Sequence, residues 1–196
     1  MPPFAIRDAL VINPGQDLMN ALVGVMKPGI WAIHYVPTNQ EALQAIKRKA
    51  FELILTSEKT SGREDVELLR KIRKARPHTR LIILTEESTP QDVVDAMRHH
   101  AFSFFSKPYS IEELENMIQM AIDCPAWDDG IELRSATPEW IHLEVRCQVS
   151  TADRLLQFMR EIAELKETER DQIGTAFREI LLNAMEHGGG FDPEAM

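Results

Sequence analysis

Five short apolar runs alternate with five stretches of helical periodicity over the first two-thirds of this chain, and that alternation constrains its fold more than any other feature. The runs are ALVI at 9–12, WAIHYV at 31–36, LILT at 53–56, LIILT at 81–85 and FSFFS at 102–106. Each is too short for a buried helix and is bounded by turn residues, as Asn13-Pro14-Gly15 bounds the first, so each reads as a buried strand. Between them, apolar residues recur at helical spacing: Leu18, Ala21, Leu22, Val25 and Met26, then Ala42, Leu43 and Ile46, then Leu68, Leu69 and Ile72. Lys27-Pro28-Gly29 and Arg76-Pro77 stop two of these helices, since proline opposes continuation and restrains the residue before it. Thr89-Pro90 opens a fourth helix with an N-cap hydroxyl and a proline at the first helical position. Ser110 and Glu113 form a capping-box pattern for a fifth, whose Leu114, Met117, Ile118, Ala121 and Ile122 face inward. Strand–helix repeats of this length require right-handed crossovers and one parallel sheet covered on both faces. The expected fold over residues 1–122 is α/β and flavodoxin-like, a (βα)5 domain whose chemistry sits at the carboxyl edge of the sheet.

The pattern changes after that. Residues 123–130 (DCPAWDDG) form a polar, Pro/Gly-containing linker, and 131–196 a second region. Residues 139–146 (EWIHLEVR) alternate, with Ile141, Leu143 and Val145 on one side, as a half-buried strand does. A helix marked by Leu155, Phe158, Met159 and Ile162 follows, then one marked by Ile173, Ala176, Phe177, Ile180 and Leu181. The second region therefore begins as α+β. The net charge of −9 argues against nucleic acid and anionic membranes as partners, both of which select clustered positive charge. The basic stretch KIRKARPHTR at 71–80 reads as the solvated end of a helix and a turn. Cys124 and Cys147 make no metal or redox spacing, no apolar run spans a bilayer, and there is no signal-peptide core. A cytoplasmic, bacterial protein is the simplest reading.

The stretch FELILTSEKTSGREDVELLR at 51–70 carries the first family likeness. It resembles the centre of a two-component response regulator receiver domain, where a strand runs into the aspartate that accepts a phosphoryl group. That position falls on Ser57. Thr85 matches the hydroxyl residue that contacts the phosphoryl group, Phe104 the aromatic position that rotates on activation, and Lys107-Pro108 the lysine and its cis proline. The family's acidic pair after the first strand is replaced by Asn13 and Pro14. Aspartyl phosphorylation needs a carboxylate nucleophile and a hard-oxygen Mg²⁺ site, and none of these three positions keeps a carboxylate. The resemblance thus implies a pseudo-receiver with no receiver metal. Glu58 replaces the acceptor only if the strand slips by one residue, which reverses every side chain, and nothing singles out Ser57 for a serine kinase. The retained-scaffold reading pairs Lys107 with Glu86 and places Phe104 in the core.

The stretch FREILLNAMEHGGG at 177–190 carries the second likeness. Glu179, Asn183 and His187 recur at i, i+4 and i+8, along one flank of a helix; on spacing alone this is a solvated edge with a C-terminal cap. Together the residues resemble the N-box of the histidine-kinase-like (GHKL) ATPases, in the form found in anti-sigma-factor serine kinases. The resemblance implies that Asn183 ligates nucleotide-bound Mg²⁺, that Glu179 is the catalytic or water-orienting carboxylate, and that His187 lies near the phosphates. The family also needs a downstream D-x-G-x-G segment for adenine, and the sequence ends at Met196. The expectation is no cofactor for this chain alone and Mg-ATP for a longer protein.

Together these readings describe a signalling protein in which a phosphorylation-incompetent receiver domain works by protein contact and adjoins the opening of an anti-sigma-type ATPase or serine kinase domain. Expected partners are signalling proteins of a sigma/anti-sigma pathway or histidine-kinase components. The receiver resemblance implies that residues 90–122 form the docking and homodimerisation face, with Phe102, Phe105 and Tyr109 as candidates for its apolar area and burial as the alternative for the strand residues. The competing reading is an interaction module that never binds nucleotide. A DNA-binding regulator is disfavoured by the acidity and the missing basic recognition helix.

Overall fold

The computed structural model describes residues 6–123, 130–137, 140–163 and 167–192. Strands β1 (Arg7–Ile12), β2 (Trp31–Val36), β3 (Leu53–Leu55), β4 (Arg80–Thr85) and β5 (Ser103–Ser106) alternate with helices α1 (Gln16–Val25), α2 (Asn39–Arg48), α3 (Gly62–Ala75), α4 (Pro90–Arg98) and α5 (Ile111–Asp123). The strands form one parallel sheet in the order β2-β1-β3-β4-β5. The order reverses between β1 and β3, which opens a crevice at their carboxyl ends. Both sheet faces are buried: Leu10, Ile54 and Ile83 face α2, α3 and α4, while Val11, Leu55 and Leu84 face α1 and α5. The expected flavodoxin-like fold is the observed one.

Local chemistry sets the helix starts. The Ser61 and Thr89 hydroxyls each accept an amide of the first turn, and Glu64 and Asp92 return the bond to the cap amides. Ser110 also accepts from the Glu113 amide at 3.3 Å, but the Glu113 carboxylate pairs with Arg160 instead of closing a capping box.

The second region differs from expectation in three respects. An unexpected strand, β6 (Ile131–Ala136), pairs antiparallel with β7 (Ile141–Val145). A register shift between Leu133 and Ser135 breaks the period-two pattern that reveals a strand in sequence. Helices α6 (Val149–Ile162) and α7 (Glu167–Gly189) follow. On α7, Phe177, Leu181 and Met185 turn toward packed neighbours, whereas Ile173, Ala176 and Ile180 are exposed, Ile180 by 70%. α6 offers α7 one face, and periodicity alone cannot choose between two adjacent apolar stripes. Finally, α6 and β6 pack against α4 and β5, and Ile131, Leu155 and Phe158 share a buried cluster with Val93, Ala96 and Met97. Residues 124–129, which hold most of the expected linker and Cys124, lie outside the described residues, as does Glu139.

Candidate functional site

The residues singled out in the first domain converge at the carboxyl end of the sheet. β1 leads into Asn13, whose φ of 44° is a left-handed conformation that asparagine tolerates well. Its amide donates to Val36 O at 2.8 Å. Backbone geometry thus accounts for the asparagine without a ligand role. Pro14 and Gly15 lead into α1. β3 ends at Leu55, and Ser57 lies in the loop beyond it, 3% exposed, its Oγ accepting from the Lys59 amide at 3.2 Å.

Glu58, weighed in the sequence only as an acceptor reached by a slip of the strand, has a place in the cleft that sequence reasoning missed. Its side chain enters the cleft without any slip of register, because β3 stops before strand alternation reaches residues 57 and 58. The Gly15 amide donates to Glu58 Oε2 at 2.9 Å, the Tyr109 hydroxyl donates to Oε1, and Lys107 Nζ lies 3.7 Å from Oε1. Lys107 therefore pairs with Glu58, not with Glu86, whose side chain is exposed beyond β4. The fit is close, since a Cβ on Gly15 would lie 2.8 Å from Glu58 Oε2. Burial, and then the bond to Glu58, pushes the Tyr109 phenol well above its ordinary range. A glutamate directly after the acceptor position and a tyrosine two residues after the lysine were the available signals.

Thr85 is fully buried, and its hydroxyl lies 2.6 Å from Thr60 O and 3.0 Å from Glu87 O. With the Glu86 amide on Thr60 O and the Gly62 amide on Glu87 O, both at 2.9 Å, it ties the loop after β3 to the loop after β4. Asp65 is buried beneath this tie. Thr60 Oγ1 lies 2.7 Å from Ser57 O and 3.0 and 2.9 Å from the two Asp65 oxygens. One hydroxyl hydrogen cannot serve both acceptors, so a protonated Asp65 donating to Thr60 satisfies the set. Burial pushes the Asp65 carboxyl up to about 8, in agreement with that assignment.

Phe104 is fully buried between β4 and the second region. Phe102 and Phe105 are buried as well, so of the two alternatives for these residues the structure takes burial and not exposed docking area. β5 is flanked by α6 on its open side, which is why its side chains are covered. The Lys107-Pro108 bond is cis. Asn13, Pro14, Ser57 and Glu58 fit Mg²⁺ poorly, since their one carboxylate already faces an amide, a phenol and an ammonium. Among the described residues, no group of three or more His, Cys, Asp or Glu side chains is placed to hold a metal.

Glu179, Asn183 and His187 lie on α7 and are exposed. Helical geometry lines them up on one flank, distant in sequence from the cleft around Glu58. No helix among the described residues is long and apolar enough to cross a membrane.

Comparison with known proteins bears on the first domain. The profile of the response regulator receiver domain matches residues 10–119. The chain is 22% identical over 130 residues to the transcriptional regulatory protein ZraR of Salmonella typhimurium, covering 66% of this chain and 29% of that protein. It is 26% identical over 109 residues to the response regulator protein FleR of Pseudomonas aeruginosa, covering 56% and 23%. The chain thus spans less than a third of the length of these relatives. A CheY-like response regulator receiver domain protein from Methanospirillum hungatei superposes with a TM-score of 0.50 and 20% identity, covering 61% of this chain and 95% of that one. At that identity the structural likeness speaks to the fold alone.

Proposed function

The chain belongs to the response regulator receiver domain family over residues 10–119, and from that premise we propose that it is a pseudo-receiver, a signalling module that works by protein contact without accepting a phosphoryl group. The observation that carries this reading is the Glu58 carboxylate. It fills the cleft and takes the Gly15 amide, the Tyr109 hydroxyl and the Lys107 ammonium, donors suited to an oxyanion. Ser57 is a poor nucleophile in this setting: its hydroxyl is buried, and no described residue is placed as its base. Asn13 and Pro14 bring no charge to offset a dication.

Incubation with Mg²⁺ and a small-molecule phosphoryl donor such as acetyl phosphate tests the reading. Intact-mass measurement is expected to show no added phosphoryl group. A phosphoryl adduct mapped to Ser57 or Glu58 would refute it.

The second region supports a further part of the proposal. Glu179, Asn183 and His187 are exposed on α7, open to a ligand of the kind that their likeness to the histidine-kinase-like ATPase N-box implies. In a longer protein these residues would contribute to Mg-ATP binding, with Asn183 toward the metal and Glu179 toward the reacting phosphate, and output would pass to a protein of a sigma/anti-sigma pathway. Calorimetric titration of Mg-ATP into this chain and into a C-terminally extended protein tests it. Binding by the extended protein alone, abolished by Asn183→Ala, supports the ATPase reading; binding by neither leaves a contact module.

A further inference from the structure

β5 is the edge strand of the sheet, and an open edge presents unpaired backbone groups that a protein must cover or blunt. Here the cover is α6, and it makes contact through polar side chains. Arg154 Nε donates to Phe102 O at 2.8 Å, with its guanidinium 4.2 Å above the Phe102 ring. Gln157 Nε2 donates to Phe104 O at 2.9 Å. The Ser106 amide donates to Glu161 Oε2 at 3.2 Å, and the Ser106 hydroxyl donates to the same oxygen. The helix positions are i, i+3 and i+7, on one face; the strand positions are i, i+2 and i+4. Seven helical residues rise about 10 Å and four strand residues about 13 Å, so the two rows run nearly in step.

Burial shows that these bonds are integral to the packing. Arg154 and Gln157 are 4% and 5% exposed, which polar side chains tolerate only with partners. Leu155 and Phe158, on the adjoining stripe, are buried with Val93 and Met97 of α4, and Arg160 pairs with Glu113 of α5. α6 therefore reaches α4, β5 and α5 together. Ser106, which Glu161 holds, directly precedes Lys107, which faces Glu58.

We infer that the α4–β5–α5 face is a helix-docking surface whose resident occupant is this chain's own α6, recognised by an Arg-x-x-Gln-x-x-x-Glu row. A second copy or another partner reaches residues 90–122 only by displacing α6, which carries α7 and its Glu179, Asn183 and His187 with it. The docked state stands apart from whether the cleft accepts a phosphoryl group.

The test uses the full chain and its Arg154→Glu/Gln157→Ala/Glu161→Ala variant, with a labelled peptide of residues 148–163 as probe. Each lost bond to a charged or buried group is worth about a tenfold change in opening. Amide exchange at Phe104–Ser106 is expected to quicken by at least that factor in the variant. The peptide is expected to bind the variant at least about tenfold more tightly than the wild-type chain, and an Arg154→Glu peptide to bind neither. If the triple variant does not fold, Glu161→Ala alone is expected to raise exchange at Ser106. Unchanged exchange in a folded variant, equal peptide binding to both chains, or a wild-type dimer joined through β5 would overturn the inference.

Discussion

At the residue scale, Asp65 makes the sharpest prediction. Its folded carboxyl is raised from 3.8 to about 8 by burial. The native state therefore holds a proton that the unfolded chain has already released between those values. Stability from this group is present at low pH, declines as pH rises from about 4 to about 8, and is level above that range. Asp65→Asn keeps the shape and removes the titration. The variant is expected to be more stable than wild type at pH 8, and to lose the slope, in urea denaturation followed across that range. A second prediction concerns the cleft. Gly15→Ala brings a Cβ to 2.8 Å from Glu58 Oε2 and is expected to cost about 1 kcal/mol through the hydrogen bond it displaces. In a Glu58→Ala background the same change is expected to cost nothing, which a double-mutant cycle reads directly. The sequence pointed to Ser57, Thr85 and Lys107 but admitted Glu58 to the cleft only through a slip of register, because its actual entry depends on where β3 stops and strand alternation ends at a residue that no periodicity marks.

At the scale of elements, strands β1 to β5 were legible because a parallel sheet covered on both faces needs continuous apolar runs, and the chain has them. Caps were legible where hydroxyl, proline and acid coincide, as at Thr89, Pro90 and Asp92. Thr89→Ala is expected to cost about 1 kcal/mol, measured by chemical denaturation, since the Asp92 amide then loses its acceptor and the Asp92 carboxylate its hydroxyl donor. β6 was hidden because its register shift interrupts alternation. On α7, the sequence offered two apolar stripes and tertiary packing used one, so the residues that mark the helix divide into packed Phe177 and Leu181 and exposed Ile173 and Ile180. The row Arg154, Gln157 and Glu161 was not legible at all: polar residues at helical spacing read as a solvated face until an open strand edge is placed beside them.

At the scale of the whole molecule, the division into two regions at 123–130 follows composition, while the packing crosses it. Phe158 is buried in the same cluster as Phe104, Val93 and Met97, so the core on the α3–α4 side of the sheet continues into α6. Elements that share a core unfold together, and a single heat-capacity peak is expected for the chain. Phe158→Ala deletes a large buried ring and is expected to cost about 3–5 kcal/mol, lowering that peak by about 10 °C for a protein of this size. The receiver-like sheet lies on one side of the deleted ring and α7 on the other, so both must shift as one. Two resolved peaks, with only the smaller displaced by Phe158→Ala, would instead mean that α6 merely rests on β5 and that the two regions fold independently.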